Sequence, residues 1–599
     1  MENATHSGDD RPERVPSPAS GPGLGPGPGN SSAAPLRVPN RRDATQAEVD
    51  SLPHVADKVP FAAWAVILAG AAERFTYFGI ISPWQNHMQN PRGTGALPGI
   101  LGLGQSTAVN IYNAFFLFSF LTPILFALAA DLWFGRFKTL MVGLGLYFAG
   151  CIVLTTTSLP SAIDRGAGVG GLAASLILIG LGAGAVKATF FALLGDQYVQ
   201  RKPQLEERED GKRVIVDGPM TLTLLYNAYY WFTNVASMSA IPVTFLEVHY
   251  DFWVAYLLAT SALGLCLLLF AIWARKLVKV VPQGTVFPQA ARALTCAARS
   301  GFKLENAKSS FQETYHGRTV PWSDKLVDEL SRGLIACRVI FSLVVFYLCL
   351  SQLYNNLISQ AGQANLGGVP NDMIQAFSGV GCIIFGPILQ AMYGFLGRRG
   401  INFPPIARMT LGFAFCAAAM AYAAGFQHMI YSTGPCFDQP LACEASLGST
   451  VPNQVNVWIQ LPVYALMAVG EILTYVTAFE YVYNKSPKDI KTVVQALTQL
   501  TACVASVLGM AISPVAKDPN MVIFYSCLAG AMALTAVLFW WRFEKYDRID
   551  ASLNESGYAE DAVDNVSSSP SLSLDPEKSG IPAAVVEVGT SVTKGNHQV

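Results

Sequence analysis

The sequence predicts an all-α membrane protein with twelve transmembrane helices arranged in two six-helix bundles. Three observations predict this fold class. Hydrophobic residues make up 52% of the 599 residues and charged residues only 14%, whereas soluble chains carry roughly 25% charged residues. The apolar residues are gathered in segments long enough to cross a bilayer, which takes roughly 20 residues. A single long polar gap divides these segments into two groups of six.

Twelve apolar segments follow one another between two polar tails. They comprise residues 60–84, 107–130, 137–159, 169–194, 221–246, 252–275, 335–358, 373–396, 404–425, 455–482, 490–514 and 520–543. The gap after the sixth segment sets the domain organisation that we expect. A disordered cytoplasmic tail, an N-terminal bundle, a cytoplasmic linker, a C-terminal bundle and a second disordered tail occupy residues 1–57, 58–275, 276–334, 335–545 and 546–599.

The loops between the segments predict the orientation. Lys and Arg are concentrated in the loop 195–220 and in the linker, whereas the loops 247–251, 359–372 and 426–454 contain neither residue. Because basic loops stay in the cytoplasm, we expect both termini there, in a multi-pass protein of the plasma membrane. Twelve spans, split six and six by a cytoplasmic linker, are the layout of a major-facilitator-type transporter.

The same composition argues against other classes of protein. A net charge of −1 without a basic stripe predicts no nucleic-acid partner. The sequence shows no nucleophile–base constellation and no metal-ligand spacing, so we expect neither an enzyme nor a cofactor or metal site. Cys436 and Cys443 share a loop that the topology places outside. The sequence leaves open whether they form a disulfide or remain free thiols.

Charged residues within the apolar segments are the candidate site. They are Glu73 and Arg74 in the first segment, Lys187 in the fourth and Glu471 in the tenth. A charge at this depth costs at least ~2.5–3.5 kcal/mol and usually marks a substrate or ion pathway. Arg74 and Lys187 suit the carboxylate of a zwitterion, and Glu471 suits its ammonium group. The alternative is a structural interhelical pair of Glu73 and Lys187.

Further polar and aromatic residues are candidates for the lining of a cavity. Tyr77 shares a helix face with Arg74. The fifth segment offers Trp231 and Asn234, although its aromatic residues also fit a belt at the membrane interface. The seventh segment offers Gln352, for which interhelical hydrogen bonds are an equal alternative. Glu480 lies on the face opposite Glu471, and we interpret it as the partner of a nearby base.

Short motifs recur in order along the segments. They are Glu73-Arg-Phe-Thr-Tyr-Phe-Gly79, Asp131-Leu-Trp-Phe-Gly-Arg-Phe-Lys-Thr139, Lys187 followed by Gly195-Asp-Gln197, Asn227 to Asn234, Asn355-Asn-Leu-Ile-Ser-Gln-Ala-Gly362, Val369-Pro-Asn-Asp372, and Glu471 followed by Tyr483-Asn-Lys-Ser-Pro-Lys488. Together they resemble the proton-dependent oligopeptide transporter family, and two of them resemble its fungal branch in particular. The resemblance runs from about residue 60 to 543.

The resemblance implies coupled uptake of di- and tripeptides with protons by alternating access. It implies that Arg74 and Lys187 bind the peptide carboxylate and that Glu471 binds the amino group. Tyr77, Trp231 and Asn234 would shape the cavity. Glu73 would belong to a proton-linked charge network with Lys187, and Glu471 is a second candidate proton carrier.

The chain departs from the family pattern at three positions. Gly70 replaces the first glutamate of the first-helix signature, which the family uses for proton coupling. Phe78 replaces a tyrosine, and Ser351 stands where many members have an acidic residue. We therefore keep three hypotheses: a proton-driven peptide importer, a proton-independent carrier of another small organic or inorganic anion, and a peptide-sensing receptor.

Overall fold

The computed structural model describes most of the chain. The described residues are 41–93, 95, 97–198, 203–207, 213–279, 286–301, 303–399, 401, 403–478, 480–481 and 491–567. Residues 1–40 and 568–599 of the two predicted tails lie outside them, as does the motif at 483–488. Parts of the basic loop 195–220 lie outside them as well.

Residues 41–55 and 203–217 form a small unit of their own. The strands β1 (Arg41–Asp43), β2 (His54–Ala56), β3 (Gln204–Glu207) and β4 (Arg213–Asp217) make a sheet of order β1-β3-β4-β2, and α1 (Gln46–Ser51) follows β1 in the chain. β3 is antiparallel to β1 and β4.

Residues 41–56 of the predicted N-terminal tail contribute β1, α1 and β2 to this unit. The buried side chains of the sheet come from β3 and β4, with Leu205, Ile215 and Val216 at most 7% exposed. β1 and β2 have only three residues each, and β1 is entirely charged. Their partners lie far along the chain, so local composition gives no sign of the pairing.

The first bundle follows the small unit. Its helices are α2 (Phe61–Ile81), α3 (Trp84–Gln89), α4 (Gln105–Ala129), α5 (Arg136–Thr157), α6 (Pro160–Ile163), α7 (Gly168–Asp196), α8 (Gly218–Ser237), α9 (Ala240–His249) and α10 (Phe252–Trp273). A π-helical turn, Ala130–Phe134, extends α4.

The linker and the second bundle complete the chain. Their helices are α11 (Val286–Arg299), α12 (Ser309–His316), α13 (Asp324–Phe341), α14 (Val344–Ser351), α15 (Asn356–Gly362), α16 (Ala376–Arg398), α17 (Pro405–Ser432), α18 (Leu461–Glu471), α19 (Lys491–Ile512) and α20 (Met521–Ser567). A π-helical turn, Ile472–Val476, extends α18. The short strands β5 (Ala364–Asn365) and β6 (Asn453–Asn456) pair in parallel. Because α20 runs to Ser567, the second predicted tail begins as a helix.

Nine helical spans among the described residues are long and apolar enough to cross a membrane. The predicted fifth and seventh spans are broken into shorter helices, and the eleventh contains a shorter apolar helix, Gln499–Val515. The seventh breaks at Asn355, which has φ −138° and ψ −87° and whose side chain accepts a hydrogen bond from the Asn356 backbone amide. α13 also begins inside the predicted linker, where the Ser323 side chain caps it.

Each bundle has its own apolar core. Small residues bring α5 and α7 together: a Cβ at Gly182 would lie 2.5 Å from the Cβ of Tyr147. We call the end of the bundles where α10 leads into the linker the linker end. The opposite end carries the loop 433–452 and is called the loop end. Cys436 and Cys443 form a disulfide in that loop, which resolves the alternative that the sequence left open.

Candidate functional site

Arg74 and Glu73 form an ion pair halfway along α2. Arg74 donates from Nε to Glu73 Oε2 at 2.6 Å and from Nη2 to Oε1 at 2.8 Å. The Glu73 side chain is fully buried, whereas that of Arg74 is 15% exposed. The Arg74 guanidinium also lies over the ring of Tyr77, 4.8 Å from its centre, as their shared helix face predicts. The two neighbouring side chains thus turn toward each other, and Glu73 is neutralised within its own helix.

Lys187 reaches the same place from α7. Its Nζ donates to the Ser119 hydroxyl at 2.8 Å. It lies 5.4 Å from the centre of the Tyr77 ring and 4.5 Å from that of Phe120. Lys187 interacts electrostatically with Arg74 and Glu73. However, no ion pair joins Lys187 to Glu73 among the described residues. The structural pair of Glu73 and Lys187, our alternative, is therefore replaced by the pair within α2.

Glu471 lies across from these cations, at the end of α18 in the second bundle. It is half-buried, and the described part of the chain gives it neither a hydrogen-bond donor nor a cation. Tyrosines surround it instead. Tyr354 and Tyr475 interact electrostatically with both Glu471 and Tyr77. Tyr475 also interacts with Arg74, so one tyrosine lies close to both the cationic group of the first bundle and the carboxylate of the second.

Known transporters are similar in sequence to this chain over most of its length. The model of the POT family matches residues 137–529. The probable peptide transporter ptr2 of Schizosaccharomyces pombe is 37% identical over 516 residues, which are 85% of this chain and 82% of the relative. This chain belongs to the POT family. The peptide transporter PTR2 of Saccharomyces cerevisiae is 33% identical over 519 residues, covering 86% of this chain and 84% of the relative.

Solved POT structures share the fold at low sequence identity. The POT family transporter PepTSo aligns with a TM-score of 0.64 and 18% identity, over 82% of this chain and 99% of the solved one. A POT family transporter in complex with 5-aminolevulinic acid aligns with a TM-score of 0.60 and 16% identity, over 83% and 99%. The predicted family is confirmed, as is the twelve-helix major facilitator fold of two six-helix bundles.

Gly70 stands where the family pattern has the first glutamate of the first-helix signature, and two aromatic rings pack against it. A Cβ at this position would lie 2.2 Å from Cζ of Phe190 and 2.7 Å from Cε2 of Tyr229. The two rings stack on each other with their centres 5.2 Å apart. Aromatic side chains therefore occupy the space that a side chain at position 70 needs, and Tyr229 is a packed residue and not part of an interfacial belt.

The residues predicted on α8 lie in different surroundings. Trp231 is 55% exposed and contacts Phe232 edge to face. Asn234 donates to the Tyr230 carbonyl of its own helix. Tyr230, the neighbour of Trp231 in the chain, interacts electrostatically with Glu471. This part of α8 thus contributes a tyrosine near the carboxylate that the sequence did not single out.

Two residues of the second bundle have partners elsewhere. Gln352 is 2% exposed, donates to the Leu348 carbonyl and accepts from Asn356, so the structure favours hydrogen bonding within its own span over cavity lining. Glu480 lies 3.7 Å from Arg408, in agreement with its interpretation as the partner of a nearby base.

Sequence reasoning missed the tyrosines around Glu471. Tyr347 and Tyr354 are seven residues apart, and Tyr475 follows Glu471 by four residues. Both spacings place side chains on one face of a helix. That periodicity was the available signal, but it does not distinguish a cavity wall from ordinary packing.

Proposed function

We propose that this POT-family chain imports di- and tripeptides together with protons by alternating access. The observation that carries the proposal is the arrangement of charge. Arg74 is balanced by Glu73, whereas Lys187, the other cation of the candidate site, has no carboxylate at ion-pair distance among the described residues. Glu471, the carboxylate of the site in the second bundle, has no cationic partner among them. The relatives named as peptide transporters support the same conclusion.

The termini of a peptide complete this arrangement. Buried charges are stable only when they are paired and hydrogen-bonded. A carboxylate that binds Lys187 and Arg74, together with an ammonium group that binds Glu471, pairs every charge and leaves the loaded site neutral. Tyr77, Tyr354 and Tyr475 would contact the peptide backbone between its two ends, while Trp231 and Asn234 extend the wall along α8.

Alternating access needs one end of the bundles to be closed at a time. The side-chain hydrogen bonds between the bundles are concentrated at the loop end. Asn86 bonds to Asn371 at 2.9 Å, and Gln105 bonds to Asn356 at 3.0 Å. We propose that the loop end faces the outside of the plasma membrane and that both termini are cytoplasmic, because the basic loops are at the linker end. The structure then corresponds to a state that is closed to the outside.

Protons would act on the charges of the site. Glu73 already has a cation at hydrogen-bonding distance, whereas Glu471 has none. We therefore place proton binding within the site on Glu471, with Glu73 and Lys187 as the neighbouring charges that respond to it. Protonation of Glu471 removes the partner of the peptide ammonium group and so promotes release of the substrate.

The test is uptake of a labelled dipeptide into liposomes that contain the purified protein, with and without an inward proton gradient. Uptake of the free dipeptide is compared with that of its N-acetylated form, which lacks the ammonium group. Loss of a charged hydrogen bond costs about 1.5–3 kcal/mol, which is roughly a ten- to hundredfold loss of affinity. We expect that preference for the free dipeptide in the natural chain, and we expect Glu471→Gln to abolish it.

Glu480→Gln is the matched control, because Glu480 follows in the same span but pairs with Arg408. It should transport like the natural chain. Equal uptake of the two dipeptides by the natural chain would contradict the proposal and favour the carrier of another anion. A preference for the free dipeptide that survives in Glu471→Gln would contradict the role of Glu471. Peptide binding without any uptake would favour the receptor.

A further inference from the structure

Two acidic side chains meet at the loop end, outside the apolar segments. Glu247 lies on α9 of the first bundle, and Asp372 lies in the loop that precedes α16 of the second bundle. Both are buried, with exposures of 3% and 0%. Their carboxyl groups are within hydrogen-bonding distance of each other. The pair therefore bridges the two bundles.

An amide pair holds the two acids in place. Asn86 Nδ2 donates to Glu247 Oε1 at 3.2 Å and to Asn371 Oδ1 at 2.9 Å. Asn371 Nδ2 donates back to Asn86 Oδ1 at 3.0 Å. The closed loop end thus contains a continuous group of Glu247, Asn86, Asn371 and Asp372.

This group lacks a donor. Glu247 Oε2 and both carboxyl oxygens of Asp372 are buried and receive no side-chain hydrogen bond within the described residues. Only the backbone amides of Asp372 and Met373 lie near the Asp372 carboxylate. Buried acceptors without donors are costly, by about 1–3 kcal/mol each. A proton on one carboxyl group supplies the missing donor between the two acids.

No cation offsets the two acids. Tyr256 on α10 interacts electrostatically with both, and its hydroxyl group lies 3.0 Å from Nδ1 of the buried His87 on α3. Arg92 is at the same end, but it is partly exposed and pairs with Asp251 and Asp164. The ion pairs of the described chain include no Lys or Arg bound to Glu247 or Asp372.

Two buried carboxylates in contact cannot both be ionised, because each disfavours the charge of the other. Burial raises the pKa of Asp372 above its ordinary value, even though Glu247 and two backbone amides stabilise its ionised form. The closed arrangement thus holds a proton more tightly than two carboxyl groups in water.

We propose that Glu247 and Asp372 form a proton-binding site that closes the loop end, and that this site supplies the proton dependence for which Gly70 leaves no carboxylate in α2. The inference rests on the proposed function only in naming the process that the proton controls. In the closed state one proton is shared between the two acids. When the second carboxyl group also ionises, their repulsion separates α9 from the loop before α16, and the loop end opens.

The pH dependence has a definite sign. The closed state has the raised pKa, so its stabilisation is complete below the ordinary range of a carboxyl group. It is lost as the pH rises through the raised pKa of the closed pair. Between the ordinary pKa of a carboxyl group and this raised value, the balance shifts toward the open state by up to about tenfold per pH unit for one proton, and above the raised pKa it no longer changes.

The experiment measures opening directly, without peptide. Spin labels are attached at Ser161→Cys on α6 and at Lys517→Cys, two exposed positions at the loop end of different bundles. The exposed Cys527 is replaced by serine. The distance between the labels is measured by double electron–electron resonance, in lipid nanodiscs over a range of pH. We expect a short distance at acidic pH and a growing population of longer distances as the pH rises.

The double variant Glu247→Gln/Asp372→Asn lacks both acids. The distribution of distances between its spin labels should therefore be the same at every pH. If the double variant does not fold, the single variant Asp372→Asn is measured in its place. Its amide group donates to an ionised Glu247, so the pH response should be weaker and should move to lower pH. Glu444→Gln, at an exposed acid of the same end, is the control and should keep the natural response.

The proposal would be overturned if the label distances of the double variant increased with pH as they do in the natural chain. It would also be overturned if the distances in the natural chain did not change with pH. His87→Gln abolishing the response while Asp372→Asn leaves it unchanged would also overturn it. A pH-dependent distance in a chain that takes up no peptide would refute the proposed function and leave the proton site standing.

Discussion

Gly70 lies against the rings of Phe190 and Tyr229, and this contact explains why position 70 has no side chain. The two rings are buried and belong to the core of the first bundle. Tyr229 also lies close enough to Arg74 to interact with its charge. The aromatic rings therefore leave no room for a glutamate at position 70, while the charged residues of the candidate site remain.

Gly70→Ala should destabilise the protein by about 1–3 kcal/mol, the usual cost of overpacking a core. Its thermal unfolding in detergent should therefore begin at a lower temperature. Gly145→Ala on α5 is the matched control, since a Cβ there meets nothing within 4 Å, and it should leave the unfolding temperature unchanged or raise it. Phe190→Leu should recover part of the loss in Gly70→Ala. Equal effects of both alanines would show that the rings move aside.

The charges of the site were predictable residue by residue, but their partners were not. Glu73, Arg74, Lys187 and Glu471 stand out because apolar segments rarely contain charges. The pairing of Glu73 with its neighbour Arg74 depends on rotamers that both side chains adopt within one bundle. The sequence cannot distinguish that choice from a pair with Lys187, because both satisfy the same charge balance.

At the scale of elements, α5 and α7 are joined at the linker end by an ion pair. Arg136 Nη1 at the start of α5 donates to both carboxylate oxygens of Asp196 at 2.8 Å. Asp196 is the last residue of α7 and is 9% exposed. A carboxylate at a helix C-terminus is repelled by the helix dipole. Arg136 therefore compensates a charge that α7 does not favour by itself.

Arg136→Met should leave Asp196 buried without its cation and lower the free energy of unfolding by about 1–3 kcal/mol. Addition of Asp196→Asn removes the unpaired charge, so the double variant should be more stable than Arg136→Met alone. Both are measured by thermal unfolding of the purified protein. A double variant less stable than either single variant would mean that the two residues act independently.

The elements themselves were predictable where local sequence determines them. Long apolar runs gave most spans to within a few residues. The seventh span was not predictable, because its breaks depend on the backbone conformation of Asn355. The sheet of β1–β4 was missed for a different reason, since residues 41–57 are polar and their strands gain stability only from partners at 204–217.

For the whole molecule, the division into two bundles followed from one long polar gap, and the comparisons confirm the fold. The contacts between the bundles did not follow from the sequence. Asn86, Gln105 and Asn371 look like ordinary loop or interface polar residues, and only the assembled bundles show that they bond to one another. The closed loop end is thus a property of the fold as a whole.

If transport requires the loop end to open, a covalent bond across it should stop uptake. The hydroxyl oxygens of Ser106 on α4 and Ser513 after α19 are 3.1 Å apart. Ser106→Cys combined with Ser513→Cys should therefore form a disulfide under oxidation. We expect dipeptide uptake into liposomes to be lost on oxidation and to return with a reductant. Ser106→Cys alone should transport under both conditions. Full uptake by the cross-linked protein would mean that substrate does not pass between the bundles at this end.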